Sequence, residues 1–350
     1  MRTLPTALST TLTSLLLLSL ASCGGNAAGA SAGDPVSVYC ALDQEFSEPV
    51  LKHLAKQLGV ELKLRFDSEV NKTVGLVSAL VEEKATPRCS VFWNNELANT
   101  VSLAQKGVLA AYDSPSAQDI PQQWRDPEHR WTGFAARARI LIVNTKLIPD
   151  PKDWPSSYLD LADPKWKGKC AIALPKTGTT LTHFTALQKV IGDEALGKWI
   201  DDMQKNDVAF LGSNGATMRA VREGTMAFAF TDTDDFHTAK LKGFDVACVF
   251  PDQGEGQIGT MLIPNAVGLV QGGPNQDAAK KLIDAILSRQ TEALLAAADS
   301  AQIPLREGVA GPKDAEIKKL GEFRQMAWDP TWTGGHIDTF QREYGKRLGL

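Results

Sequence analysis

The hydrophobic positions of the chain fall into short apolar runs separated by segments with helical spacing. Val36 to Ala41 is typical of a buried strand, and Leu51, Leu54, Ala55 and Leu58 then recur at the intervals of an amphipathic helix. Strands that alternate with helices of this length predict βαβ units and a largely parallel sheet. The further strand-like runs are Val60 to Phe66, Cys89 to Trp93, Phe134 to Asn144, Cys170 to Leu174, Val208 to Leu211, Met226 to Phe230, Phe244 to Phe250 and Ile263 to Val270.

Helices are predicted between these runs, and capping residues indicate their ends. Ser47 is the N-cap candidate of the first helix, and Gly59 is placed to end it. The other predicted helices run from Asn71 to Lys84, from Glu96 to Lys106 and from Gln276 to Ser288, and the remainder from Thr291 to Leu350 is expected to be mostly helical.

The pattern of strands and helices restarts near Asp160, which predicts two α/β lobes rather than one. Phe134 to Asn144 is long enough to cross between the lobes, and Ile263 to Val270 returns the chain to the first lobe. We expect each lobe to be a mostly parallel sheet flanked by helices, with a ligand cleft between the lobes. Lobe 1 is assigned residues 36–135 plus 264–290, and lobe 2 residues 136–263 plus 291–350.

The first residues of the chain predict secretion. The run Leu12 to Leu20 is too short to span a bilayer as a mature helix, but it suits a signal peptide over residues 1–22. It ends in Leu-Ala-Ser-Cys-Gly, which resembles a bacterial lipobox and predicts acylation of Cys23. Residues 23–35 then form a flexible tether, and the protein is anchored to a membrane in the periplasm or at the outer cell surface. A plain secretory signal is the alternative.

Composition and charge exclude one class of partner. With 43% hydrophobic and 22% charged residues among 350, the chain is long enough for one large or two medium domains. Its net charge of −4 comes without a basic stripe, which argues against nucleic acid as a partner.

Four cysteines follow the leader, and in an oxidising compartment they are free to form disulfides. The favoured pairs are Cys40 with Cys89 and Cys170 with Cys248, because two cysteines fall in each half. Buried free thiols are the alternative.

Polar residues gather around the stretch from Leu211 to Asp235, where a strand end, a Ser-Asn-Gly turn, a short helix and a second strand are predicted. Small polar residues ahead of a helix leave backbone N–H groups open to an anion, although the same residues also serve as ordinary caps. Arg137 and Arg139 share a face of the crossing strand, within reach of an anion or of a structural partner. The candidate anion-binding residues are Thr177, Thr179, Thr180, Ser213, Asn214 and Gly215.

An acidic loop is predicted at Thr231 to Asp235, where three carboxylates and two hydroxyl groups, those of Thr231 and Thr233, follow a buried strand. Carboxylates this close repel one another unless a cation offsets them, so a cationic ligand group or a metal is one hypothesis. A solvated turn is the other. The remaining candidates for ligand contact are Asp43, Asn95, Glu96, Asp232 and Asp234, and a metal set would combine Asp232 and Asp234 with Glu96.

Several segments resemble the substrate-binding lipoproteins of bacterial ABC importers, within the extracellular solute-binding family that includes ferric-binding proteins and relatives for phosphonates, thiamine and polyamines. These segments are Val38 to Asp43, Val91 to Glu96, Asp163 to Lys169, Ser213 to Gly215 and Pro264 to Val270. The match extends from Val36 to about Gln290. It implies the two-lobe, periplasmic-binding-protein type 2 fold with the ligand held between lobes.

The resemblance implies a monomeric binding protein, not an enzyme, that delivers a small charged solute to the transmembrane subunits of a permease. It implies no cofactor, and Fe³⁺ with an anion or a phosphonate-type zwitterion as the transported ligand. Ferric-binding members use two adjacent tyrosines, but the matching position here is Thr231 to Asp235, and the chain has no adjacent tyrosine pair. The alternative function is a secreted metal-assisted phosphoester hydrolase that uses Asp232, Asp234 and Asp235.

Overall fold

The structure, a computed structural model, describes residues 34–67 and 74–348, with Val74 described by its backbone alone. The predicted signal peptide, the acylated Cys23 and all but the last two residues of the tether lie outside these ranges. Among the helices of the described ranges, none combines the length and the apolar character needed to cross a membrane.

Strands and helices alternate along the described residues, as the hydrophobic pattern predicted. The strands are β1 (Val36–Cys40), β2 (Leu62–Phe66), β3 (Val91–Asn94), β4 (Leu109–Ala110), β5 (Thr132–Asn144), β6 (Cys170–Ala173), β7 (Ala209–Leu211), β8 (Phe228–Asp232), β9 (Val246–Val249) and β10 (Leu262–Val270). The helices are α1 (Gln44–Leu58), α2 (Val74–Glu82), α3 (Ala98–Gln105), α4 (Gly178–Ile191), α5 (Asp193–Lys205), α6 (Asn214–Arg222), α7 (Thr233–Leu241), α8 (Gln276–Ile286), α9 (Arg289–Ala297) and α10 (Pro330–Leu348).

The sheet contains two parallel groups of strands on either side of two antiparallel crossing strands. Its order is β2-β1-β3-β10-β5-β8-β6-β7, with β4 beside β10 and β9 beside β5. Strands β1 to β3 are parallel, and so are β6 to β8. The crossing strands β10 and β5 run antiparallel to these groups and to each other. We call β1 to β4 with α1 to α3 the first half, and β6 to β9 with α4 to α7 the second half.

Strand β5 joins the two halves, as predicted for the crossing strand. Its residues 132–138 pair with β10, and its residues 139–144 pair with β8 and β9. All 13 of its residues are buried, because strands lie along both edges and helices α6, α7 and α9 pack against it. Charged residues on this strand are therefore held away from water.

The first helix begins earlier than predicted. α1 starts at Gln44 with Asp43 in the N-cap position, whereas the predicted cap, Ser47, lies inside the helix and donates a hydrogen bond to the Leu42 carbonyl at 3.0 Å. The predicted end is confirmed, since Gly59 adopts a left-handed conformation with φ 65° at the C-cap.

The acidic stretch is not a loop. Thr231 and Asp232 end β8, and Thr233 begins α7. Asp234 and Asp235 occupy the first turn of that helix, where the positive end of the helix dipole favours carboxylates. The stretch is therefore a rigid junction between a strand and a helix.

The C-terminal part is less helical than predicted. Residues 298–329 connect α9 to α10 without a helix and with only isolated β-bridges. α9 packs against α1 of the first half, whereas α10 contacts both α3 and α4. The boundary that the sequence predicted between residues 290 and 291 falls within α9.

The four cysteines of the described residues are free thiols, so neither favoured disulfide forms. Cys40 pairs with Trp93 on the neighbouring strand β3. Cys89 precedes Trp93 by four residues, which corresponds to about 13 Å along the chain at the usual strand rise. Cys170 and Cys248 lie on β6 and β9, with β8 and β5 between them. Both separations exceed the roughly 7 Å between Cα atoms that a disulfide spans.

Candidate functional site

A cleft of about 260 Å³ lies where strand ends of both halves meet the N-termini of α1, α4, α6 and α7. Ten of the residues proposed from the sequence line it: Asp43, Asn95, Thr177, Thr179, Thr180, Ser213, Asn214, Gly215, Asp232 and Asp234. The other three, Glu96, Thr231 and Thr233, do not line the cleft and make hydrogen bonds within the protein.

Helix N-termini form one wall of the cleft. α4 begins after Thr177, whose side chain makes no capping hydrogen bond. α6 begins at Asn214, and the Ser213 hydroxyl caps it by accepting a hydrogen bond from the Ala216 amide at 3.0 Å. The first N–H groups of a helix lack intrahelical partners and carry the positive end of its dipole. This wall therefore favours an anion.

Asp232 is the centre of a buried polar network beneath that wall. Arg139 Nη1 donates to Asp232 Oδ1 at 2.7 Å, and both side chains are at most 2% exposed. Thr179 Oγ1 and Asn214 Nδ2 donate to the second oxygen, Oδ2, at 2.6 and 2.9 Å. The Arg139 guanidinium also lies over the ring of Phe230, 4.6 Å from its centroid. These contacts fix the starts of α4, α6 and α7 relative to the crossing strand.

Arg137 lies on the same strand and lines the cleft itself. Its Nη1 lies 3.2 Å from Asp234 Oδ2, but its Nε and Nη2 have no hydrogen-bond partner, although the side chain is only 2% exposed. Burial alone would lower the pKa of Arg137, but the neighbouring carboxylates, Asp234 first, raise that pKa above its ordinary value. The guanidinium therefore stays charged, and two of its nitrogens are buried without a hydrogen-bond partner in a residue that lines the cleft.

The acidic cluster has cationic partners within the chain. Carboxylate oxygens of Asp232, Asp234 and Asp235 lie within 4.8 Å of one another. The first two face Arg139 and Arg137, and Asp235 accepts a hydrogen bond from Thr231 Oγ1 at 2.7 Å. Arg137 and Arg139 of β5 therefore supply positive charge beside this cluster.

Glu96 connects the two halves from a position outside the cleft lining. Its carboxylate accepts hydrogen bonds from Asn94 Nδ2 at 2.8 Å, from the Asn99 amide at 3.1 Å and from Thr182 Oγ1 on α4 at 2.6 Å. Full burial raises the pKa of Glu96, and these hydrogen bonds act in the opposite direction. Glu96 does not join the group of aspartates that would hold a metal.

Several lining residues were not proposed from the sequence. On α6, Met218, Arg219 and Arg222 follow Gly215 at three, four and seven residues, which places all four on one helix face toward the cleft. That spacing was readable in the sequence and would have predicted two further cations at the site. Lys242, Thr238, Glu45 and Phe46 also line the cleft.

None of the tyrosines, histidines or cysteines in the described part of the chain lines the cleft. The tyrosines contact residues elsewhere: Tyr39 contacts Glu83, Tyr112 contacts Asp284, Tyr158 packs on Trp199 and Tyr344 contacts Asp193. No described tyrosine is therefore placed to bind iron through a phenolate oxygen in this cleft.

The chain is similar to solute-binding proteins over most of its length. Iron uptake protein A1 of Synechocystis is 26% identical over 283 residues, which cover 75% of this chain and 76% of that protein. A putative 2-aminoethylphosphonate-binding periplasmic protein of Salmonella typhi is 25% identical over 261 residues, which cover 73% of this chain and 74% of that protein.

A solved structure confirms the predicted fold. Iron-bound HitA from Pseudomonas aeruginosa superposes with a TM-score of 0.79 at 22% identity, over 90% of this chain and 99% of HitA. The model of the bacterial extracellular solute-binding protein family matches residues 101–331, which is more than half of the sequence. On these grounds the chain belongs to the bacterial extracellular solute-binding proteins.

Proposed function

We propose that this protein captures a small solute with a phosphonate- or phosphate-type anionic group and delivers it to the transmembrane subunits of an ABC permease. The N-termini of α4 and α6 and the guanidinium of Arg137 hold the anionic end. The carboxylates of Asp43 and Glu45 at the start of α1, and of Asp235 on α7, receive a cationic group, such as an amine. A zwitterionic phosphonate has this distribution of charge, and the Salmonella relative is named for one.

The unpartnered edge of Arg137 carries this proposal. A buried N–H group left without a partner costs about 1–3 kcal/mol, and Arg137 has two nitrogens in this state. An oxyanion with two adjacent oxygens satisfies both in the bidentate geometry that guanidinium groups prefer. Each charge-assisted hydrogen bond contributes about 1.5–3 kcal/mol, so a few such contacts reach the roughly 8 kcal/mol of a micromolar ligand.

Ferric iron with a bound anion is the second candidate, since Asp232, Asp234 and Asp235 bring carboxylate oxygens close together. Fe³⁺ would have to share Asp232 and Asp234 with the arginines that already face them. Like charges in one site repel, so the guanidinium groups oppose a bare cation and favour an anion. The phosphonate hypothesis is therefore the stronger one.

Membership of the family assigns binding rather than catalysis to the chain, and the metal-assisted hydrolase is not supported. Similar proteins are named as periplasmic. In our proposal the protein works as a monomer in the periplasm or at the outer cell surface and is held to the membrane through acylated Cys23. The permease receives the solute when the two halves open.

Thermal unfolding with candidate ligands tests the proposal. At a concentration of 100 times Kd, a ligand adds about 2.7 kcal/mol, which for a chain of this size raises the melting temperature by about 4 °C. We expect this shift with 2-aminoethylphosphonate or inorganic phosphate, and a smaller one with ferric citrate. A shift with ferric citrate alone would replace our proposal by iron transport, and no shift with any of the three would contradict it.

Arg137→Lys supplies the matched variant for this experiment. Lysine keeps a positive charge for Asp234 but lacks the planar fork, so we expect at least a tenfold loss of phosphonate affinity. The control is Arg130→Lys, because Arg130 pairs with Asp126 outside the cleft lining. Equal phosphonate affinity of the two variants, measured by calorimetry, would show that Arg137 does not contact the ligand.

A further inference from the structure

Strand β5 contains a β-bulge two residues before Arg137. Phe134 pairs with Asn265 and Ala136 pairs with Pro264, so Ala135 between them has no partner of its own on β10. Ala135 has φ 36°, in the left-handed region that residues with a side chain rarely adopt. A bulge adds one residue to a strand and changes the direction of the side chains that follow it.

Two fully buried side chains hold Ala135 in this conformation. Its backbone N–H donates to Glu292 Oε1 at 2.9 Å, and its carbonyl accepts a hydrogen bond from Asn265 Nδ2. Glu292 lies on α9, and Asn265 lies on the neighbouring crossing strand. Neither residue lines the cleft.

The segment after α9 fixes the bulge from the other side. Ala136 and Ile303 exchange two backbone hydrogen bonds, at 2.7 and 2.6 Å. Glu292 Oε1 also accepts a hydrogen bond from the Leu305 amide at 3.0 Å. Arg306 Nη1 lies 3.1 Å from Glu292 Oε2 without hydrogen-bond alignment, so it balances the charge of the carboxylate. A strained residue persists only where its surroundings impose its conformation, and these contacts do so.

From this geometry we infer that Glu292 and Asn265 are positioning residues for ligand binding: they hold the bulge at Ala135, and the bulge aims Arg137 into the cleft. The inference rests on the proposed function, because it takes Arg137 as the group that holds the anion. It explains why a buried carboxylate on α9, outside the cleft lining, is bonded to the crossing strand just before Arg137.

The first test compares Glu292→Ala with two other variants. We expect Glu292→Ala to weaken 2-aminoethylphosphonate binding at 25 °C at least fivefold. Glu292→Gln keeps an oxygen acceptor for the Ala135 amide and should stay within twofold of the unmodified protein. The control is Asp252→Ala, which removes another buried carboxylate, one that accepts a hydrogen bond from Ser157 Oγ at 2.6 Å outside the cleft lining. It should lower the melting temperature without changing affinity.

Ala135→Gly gives a second test that does not depend on the first variant folding. Glycine relieves the left-handed strain, so the melting temperature should rise by about 2 °C. It also loosens the strand before Arg137, so affinity should fall at least twofold because the guanidinium is less preorganised. A change that raises stability and lowers affinity is not the result of general destabilisation.

A crystal structure of Glu292→Ala without ligand separates this inference from the proposed function. If Arg137 Nη1 remains about 3.2 Å from Asp234, as now, the inference is wrong whatever the affinities are. If Glu292→Ala binds the phosphonate normally while Arg137→Lys does not, the inference also fails and the proposed function stands. If the unmodified protein does not bind the phosphonate, the proposed function fails, and a displaced Arg137 in the crystal structure of Glu292→Ala still supports the inference.

Discussion

At the scale of single residues, the acidic cluster owes its character to partners that are distant in sequence. Asp232 and Asp234 are paired with Arg139 and Arg137 in an almost fully buried setting. A buried ion pair is costly to break, because the remaining charge is left without water or a partner. These aspartates are therefore structural supports of the cleft at least as much as ligand contacts.

Replacing Asp232 with alanine tests this view. The change leaves the Arg139 guanidinium buried and unpaired, and we expect the free energy of unfolding to fall by about 3–5 kcal/mol. The control is Asp338→Ala, which removes an ion pair of similar length, 2.8 Å to Lys106, from the exposed surface. That pair is worth at most about 1 kcal/mol. Urea denaturation of both variants gives the comparison, and equal losses would contradict a structural role for Asp232.

The sequence predicted which residues line the cleft better than it predicted what they contact. Thr177, Ser213 and Asp234 were identifiable because they follow strands or precede helices. The pairing of Arg139 with Asp232 was left open, because it joins residues 93 positions apart and depends on the register of β5 and β8. The sequence did not predict that Glu96 would accept a hydrogen bond from Thr182, because a strand end predicts position but not the direction of the side chain.

At the scale of elements, α10 packs closely on α3 of the first half and also contacts α4 of the second half. A Cβ atom added at Gly334 would lie 2.5 Å from Val101 Cβ and 2.7 Å from the Ala98 carbonyl oxygen on α3. The next residue, Gly335, meets only the end of the Gln105 side chain, at 3.2 Å. Two adjacent glycines of one helix thus have different constraints.

Alanine substitutions at these two glycines test the contact. We expect Gly334→Ala to destabilise the protein by about 1–3 kcal/mol, because α3 would have to move away from α10. Gly335→Ala should stabilise it by up to about 1 kcal/mol, since alanine favours a helix and Gln105 is flexible enough to yield. Thermal unfolding of the two variants supplies the measurement. Stabilisation by Gly334→Ala as well would show that α10 is not closely packed on α3 here.

The elements that the sequence missed lack the patterns on which prediction depends. The acidic stretch has the composition of a turn, but its first two residues end β8 and its last three begin α7. Residues 298–329 contain buried apolar residues such as Ile303 and Leu305, and Ile303 pairs with Ala136 of β5 rather than belonging to a helix. Such segments derive their structure from the surface that they cover, which local periodicity does not reveal.

At the scale of the whole molecule, the two halves share β5 and β10, so movement between them has to pass through the crossing strands. Glu96 and Thr182 meet across the halves, and their hydrogen bond would break on opening. When two halves close like a hinge, residues from both can contact the same solute. In the proposed function, the protein has to stay near the permease that receives the solute.

The lipid anchor predicted from the sequence would provide that proximity. Several acyl chains hold a protein to a bilayer durably. We expect the full-length chain in the membrane fraction of bacteria that express it. Detergent should release it, but 1 M salt should not, because salt screens charges and leaves acyl chains inserted.

Cys23→Ser tests whether a lipid anchors the protein. This variant should move to the soluble fraction while its phosphonate affinity stays unchanged. Cys248→Ser is the matched control, because it removes a cysteine of the folded part, on β9, and should leave the protein in the membrane fraction. Mass spectrometry should find acyl chains on the N-terminal peptide of the control variant only. Recovery of unmodified protein in the soluble fraction would replace the lipid anchor by a plain secretory signal, and delivery to the permease would then depend on diffusion.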